Sequence, residues 1–137
     1  MKPSLVPGLT AVNRVVVGKA KTIGSMGEED LVHFTPHLIA EIETTCRNVI
    51  LAHADANEDN VGIAVAIKYL APPLPGVNVE ITVEVITISG RQVTFVVTVK
   101  DEVDTVICGT HARFVVDKAK TVERLKAKAD KLAARRV

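Results

Sequence analysis

Alternation governs the second half of the chain. Val77, Val79, Ile81, Val83 and Val85 are separated by Asn78, Glu80, Thr82 and Glu84, and this period of two predicts a half-buried strand over 77–89. Runs at 61–70, 91–100 and 105–117 also read as strands, with Ser89-Gly90 and Asp101-Glu102-Val103-Asp104 turning the chain between the last three. Consecutive antiparallel hairpins follow from that spacing. An earlier run over 9–18, LTAVNRVVVG, adds a fifth strand.

Two segments carry the helical period instead. Between 35 and 50, Leu38, Ile39, Ile42, Thr45, Cys46, Val49 and Ile50 fall on one face at about 100° per residue. Thr35-Pro36 reads as the start signal, so a helix is expected from Pro36 to about His53, some 27 Å long. The stretch before it, 18–34, reads as a connecting segment and candidate lid. Over 118–136, Val122, Leu125, Ala129 and Leu132 form a stripe among basic residues, predicting an amphipathic helix that covers a sheet edge or face. The order β, α, ββββ, α makes an α+β fold. Its expected form is the hotdog arrangement, a five-stranded antiparallel sheet wrapped around one long helix, with a C-terminal helix added.

Composition narrows the function. At 137 residues the chain fits one domain, 1–137, with one core. Aromatic residues make up only 3% and Trp is absent, so the core is aliphatic and stacking on nucleic-acid bases has little support. No run of eighteen apolar residues and no leader pattern is present, and a cytoplasmic protein with no membrane partner is expected. Cys46 and Cys108 lack metal or disulfide spacing and read as buried free thiols. Among His33, His37, His53 and His111 no ligand spacing occurs, so no metal site is expected. Net charge is +1, but residues 117–137 carry eight Lys or Arg against three acids, leaving a mildly acidic body and a basic tail.

Glu43 is the sharpest chemical candidate. It lies at the edge of the apolar stripe, just past Ile39 and Ile50, so it borders the core. Arg47 follows four residues later, and an ordinary i,i+4 surface pair worth about 0.2–0.5 kcal/mol is the plain alternative. Thr35 reads as the N-cap of the helix, worth about 1 kcal/mol. Eight helical residues span about 12 Å, so Thr35 and Glu43 cannot touch within one straight helix. Either the helix proper begins later than Pro36 or a substrate bridges the two.

Three stretches carry a family resemblance. Thr35, Glu43 and Cys46 at their spacing, the strand Val61-Gly62-Ile63-Ala64-Val65 with the loop Ala71-Pro72-Pro73-Leu74-Pro75-Gly76, and Gly109-Thr110-His111-Ala112-Arg113 occur in that order. Over about residues 32–125 the chain resembles the small hotdog acyl-CoA thioesterases, and most the fluoroacetyl-CoA thioesterase type. The resemblance implies hydrolysis of a short or small acyl-CoA thioester, with Glu43 as nucleophile or general base and Thr35 assisting. Gly62, Phe34, His111 and Arg113 would line the substrate, although His111, on a strand face with Ile107 and Arg113, reads by itself as a satisfied structural imidazole. Lys118, Lys120 and Arg124 would hold coenzyme A phosphates, the thioester being substrate and no cofactor being needed. A homodimer, or a tetramer built from it, is implied, with the active sites at the subunit interface.

One position departs from the pattern. Tyr69 aligns with the family's catalytic histidine, and a phenol with a reference pKa near 10 does not accept a proton near neutrality as imidazole does. Tyr69 can still donate a hydrogen bond in the site. The alternative function is therefore a non-catalytic acyl-CoA sensor or carrier.

Overall fold

The structure is a computed structural model that describes residues 1–16, 28–72, 74 and 76–136, with backbone alone for 28–35. Its elements are strand β1 (Thr10–Val16), helix α1 (Glu28–Leu51), strands β2 (Glu58–Tyr69), β3 (Asn78–Ser89), β4 (Gln92–Lys100) and β5 (Thr105–Asp117), and helix α2 (Lys118–Arg135). Every strand pairing is antiparallel, in the order β1-β3-β4-β5-β2. The hairpins β3, β4 and β5 form the middle of the sheet, and the two strands made first in sequence become its edges. This is the expected hotdog arrangement, with α1 packed against the sheet.

Alternation in sequence becomes burial in the middle of that sheet. Val79, Ile81, Val83 and Val85 of β3 and Val93, Phe95, Val97 and Val99 of β4 are fully buried. Helix α1 meets them with Leu38, Ile42, Cys46, Val49 and Ile50. Each buried aliphatic side chain contributes about 1.5–3 kcal/mol relative to exposure, so this layer carries most of the stability.

The helix starts earlier than the Thr35-Pro36 signal predicts. Its backbone is helical from Glu28, so Thr35 is not the N-cap and Pro36 lies inside the helix. An internal proline forfeits one backbone hydrogen bond, at about 3 kcal/mol. Of the connecting segment and candidate lid expected at 18–34, residues 28–34 form the first turns of α1 instead of a connection, and residues 18–27 lie outside the described residues.

Strand β2 also extends beyond its expected start, through a polar stretch. Glu58 and Asn60 belong to the strand and are buried. Glu58 accepts from Arg91 at 2.8 Å and from the Asp55 amide at 3.0 Å, and it also pairs with the Met1 α-ammonium. Those partners make burial of a carboxylate tolerable.

Glycine sets the approach of β2 to β5. A Cβ on Gly109 would stand 2.1 Å from the Ala66 carbonyl oxygen and 2.7 Å from the Ile67 Cα, both backbone atoms that cannot swing aside. Only glycine fits there.

Helix α2 is rooted on β5. Asp117 caps it by accepting from the Lys120 amide at 3.0 Å, and the Lys118 amide bonds the Asn57 carbonyl at 2.9 Å. None of its residues is buried, and Val122, Leu125 and Leu132 remain exposed. Within one chain the helix therefore does not cover the sheet as its stripe predicts. No described helix is long and apolar enough to cross a membrane.

Candidate active site at the seam of α1, β2 and β5

The inward face of β5 changes character halfway along. Ile107 and Val115 are aliphatic, but His111 and Arg113 stand between them and are almost wholly buried. Their partners come from β2. The register sets Gly62 opposite Arg113 and Val65 opposite His111, with a bulge between Gly62 and Ala64. That bulge frees the Ala64 carbonyl to meet the imidazole.

Hydrogen bonds assign the tautomer of His111. Its Nδ1 lies 2.9 Å from the Ala64 carbonyl, which can only accept, so Nδ1 carries the proton. Nε2 then accepts from Arg113 Nη1 at 3.1 Å. Burial, and next the guanidinium, push the imidazole below its ordinary value of 6.5, and the ring is neutral at neutral pH. Its lone pair is committed to Arg113.

Arg113 in turn bonds Asn60. Its Nε donates to the Asn60 side-chain oxygen, and Nη2 donates to the Asn60 carbonyl at 3.1 Å. Asn60 Nδ2 donates to the Arg47 carbonyl at 3.3 Å, tying the array to α1. Neutral oxygen and nitrogen acceptors satisfy these donors, but no carboxylate pairs with the guanidinium among the described residues. A buried cation held this way projects its field into its surroundings.

Glu43 lies within that field. It is partly buried on α1, and its charge is felt at Cys46, His111 and Arg113. The expected i,i+4 partner has gone elsewhere: Arg47 forms a two-pronged pair with Asp59, at 3.1 and 2.9 Å. Among the described residues no cation forms an ion pair with Glu43. Beside it, burial first and then Glu43 push the Cys46 thiol up to about 12, with Arg113 opposing. That thiol stays protonated and is no nucleophile.

The glycine of β2 belongs to the same cluster. A Cβ on Gly62 would lie 3.1 Å from His111 Cε1 and 3.4 Å from Arg113 Nη1. The imidazole occupies the space a side chain would need, while the Gly62 backbone itself is exposed.

Other expected site residues stand apart. Tyr69 is half exposed and pairs with Ile107, seven residues along β2 from Gly62, about 23 Å at 3.3 Å per residue. Within one chain Tyr69 does not join the cluster. The backbones of Thr35 and Glu43 are separated by eight residues of continuous helix, about 12 Å. The side chains of Phe34 and Thr35 lie outside the described residues. Lys120 and Arg124 line a cavity of about 420 Å³ at the root of α2. Lys118 instead donates to the Ala56 carbonyl at 3.3 Å. Asn60, central to the array, escaped the sequence reading because it sits in a polar run that resembles a loop.

Comparisons with known proteins agree with this architecture. The fluoroacetyl-CoA thioesterase of Streptantibioticus cattleyicolor is 28% identical over 85 residues, covering 62% of this chain and 61% of that protein. The match thus spans about three-fifths of the relative's length. A thioesterase-superfamily protein from Thermus thermophilus superposes with a TM-score of 0.83 at 25% identity, covering 98% of this chain and 99% of the other. A crystal structure of a mutant fluoroacetyl-CoA-specific thioesterase superposes with a TM-score of 0.79 at 24% identity, covering 93% and 99%; at that identity it speaks for the fold alone. The profile of one family, the fluoroacetyl-CoA-specific thioesterases, matches residues 17–119, which takes in α1, the whole sheet from β2 to β5 and the buried array, and the chain belongs to that family.

Proposed function

We propose that this protein is an acyl-CoA thioesterase for a short or small acyl group, with Glu43 attacking the thioester carbonyl or activating water. One observation carries the reading: Arg47 turns to Asp59, leaving Glu43 partly buried in the field of Arg113 with no ion-pair partner among the described residues. A carboxylate so placed acts as nucleophile or general base. The exposed backbone at Gly62 is the candidate donor to the developing oxyanion, where one donor is worth about 3–4 kcal/mol. Thr35 assists through the substrate, since about 12 Å of helix separates it from Glu43.

The working unit in this reading is a homodimer. Strand β2 is an edge strand on which residues 61–66 are all exposed, Val61, Ile63 and Val65 among them. A bare, apolar edge of this length invites another strand. An antiparallel pair with Val65 opposite Ala66 brings the partner's Tyr69 across from Gly62. Tyr69 then enters the site from the other chain, as a hydrogen-bond donor.

A second reading has its own support. The His111 imidazole has its lone pair bound to Arg113, and Tyr69 replaces the family's histidine, so the same pocket would suit a sensor or carrier of acyl-CoA. Thiol release from short, branched and aryl acyl-CoA esters separates the two. Under the thioesterase reading the wild type turns over, and Glu43→Gln lowers kcat by about 10²–10⁴-fold while ligand binding persists. Binding without turnover by the wild type leaves the sensor or carrier.

A further inference from the structure

Two arginines stand near Glu43, and two successive residues of β2 dispose of them differently. Arg47 follows Glu43 by one turn of α1, where an ion pair between the two would be the ordinary outcome. Asp59 takes that arginine instead. Its two oxygens accept from Arg47 Nε and Nη2 at 3.1 and 2.9 Å, a fork that fixes the plane of the guanidinium as well as its charge. Asp59 is itself held in place, because its Oδ1 also accepts from the Asn60 amide at 2.7 Å. Asn60 grips the same residue of α1, its Nδ2 donating to the Arg47 carbonyl at 3.3 Å.

The order of charge along β2 is what sorts the two cations. The carboxylate at 59 neutralises the arginine on the helix. The amide at 60 satisfies buried Arg113 through neutral oxygens and leaves its charge standing. A carboxylate at 60 would cancel Arg113, and an amide at 59 would release Arg47 to Glu43. At Arg113 the charges of Arg47 and Asp59 act with opposite signs, so while paired they add little net field to the site. Lys118 is the other cation felt at Asp59, but its Nζ donates to the Ala56 carbonyl at 3.3 Å and forms no ion pair among the described residues.

We propose that Asp59 is a positioning residue for hydrolysis: by holding Arg47 it keeps Glu43 out of a salt bridge and available to the thioester. The inference rests on the thioesterase reading and adds the residue that leaves the acting carboxylate uncommitted.

The test removes first the holder and then the arginine it holds. Asp59→Asn keeps an acceptor for the Asn60 amide but loses the charge that retains Arg47. On an acyl-CoA ester that the wild type hydrolyses, it should lower kcat about tenfold, the scale of one unit of basicity lost by a carboxylate beside an arginine. KM should stay within about threefold, as for a group that acts on the reaction and not on binding. Arg47→Gln alone should leave kcat within about twofold, and Asp59→Asn/Arg47→Gln should return to that level, because the harm passes through Arg47. Glu80→Gln, which breaks the exposed pair with Arg14, controls for the loss of a surface charge and should change neither constant. An unchanged kcat in Asp59→Asn, a loss that persists in the double variant, or an equal loss in Glu80→Gln overturns the assignment.

The side-chain Nε–H resonance of Arg47 reads the pairing without turnover. Glu43→Gln should leave that resonance in place in the wild type and move it in the Asp59→Asn background. A resonance that already follows Glu43 in the wild type, or ignores it in the Asp59→Asn background, also overturns the assignment. A wild type that binds acyl-CoA esters without hydrolysing them rejects the thioesterase reading and with it the catalytic consequence, while the resonance still judges the hold of Asp59 on Arg47.

Discussion

Neighbouring strands β4 and β5 face the same helix with different chemistry. β4 turns Val93, Phe95, Val97 and Val99 inward, all fully buried. β5 sets Arg113 opposite Val93, His111 opposite Phe95 and Gly109 opposite Val97. Burying β4 requires only apolar area. Burying β5 requires an acceptor for each donor, and these come from Asn60, Ala64 and His111 itself. The sheet thus combines a half specified by volume with a half specified by hydrogen-bond geometry, and Glu43 stands over the second.

The largest expected effect falls on the aliphatic half. Phe95→Ala should lower unfolding free energy by about 3–5 kcal/mol, read from denaturant midpoints, without selectively disturbing catalysis. A loss under about 1 kcal/mol would mean that β4 is not the mechanical centre.

Asn60→Leu attacks the polar half. Removing one acceptor of a buried cation should cost about 2–3 kcal/mol, although Leu adds apolar area. Adding Arg113→Met to that variant should recover most of the stability while depressing kcat. If the double variant is no more stable than the single, the hydrogen bonds of Arg113 are not what specifies this half.

The smallest effect is on pH dependence. Burial holds His111 neutral, below its ordinary 6.5, so the unfolded chain takes up that proton first. The contribution is complete above about pH 6.5 and is lost as pH falls through the lower folded-state value. Denaturation midpoints should fall between pH 7 and 5.5, and His111→Gln should remove that slope. Persistence of the slope in the variant would assign it to other groups.

Much of this division was visible in the sequence. Val and Ile at period two placed β3, β4 and β5 within a residue or so, because one buried face leaves a simple alternating trace. The start of α1 was misplaced, since Thr35-Pro36 is a strong local signal and the acids at 28–30 a weaker one. Glu58 and Asn60 fall between the expected end of α1 and the strand expected from 61, because a buried polar residue looks like an exposed one until its partners are known. Those partners are distant in sequence: Arg91 for Glu58 and Arg113 for Asn60. Glu43 could be placed at the edge of the core from helical spacing alone, but the departure of Arg47 to Asp59 required the fold.

The strand order has a kinetic consequence. During synthesis β1 and β2 emerge before the strands they pair with, because β1 pairs with β3 and β2 with β5, and α1 emerges before the central strands β3 to β5 that it covers. Local hairpins form quickly and distant pairings slowly, so the hairpins from β3 to β5 should assemble first and recruit the earlier segments afterwards. Until then the apolar stripe of α1 and the bare length of β2 are exposed to solvent and to other chains. A nascent chain stalled before residue 105 would hold both adhesive surfaces with no strand to receive β2, which makes the interval between synthesis of β2 and of β5 the period of greatest demand for chaperones.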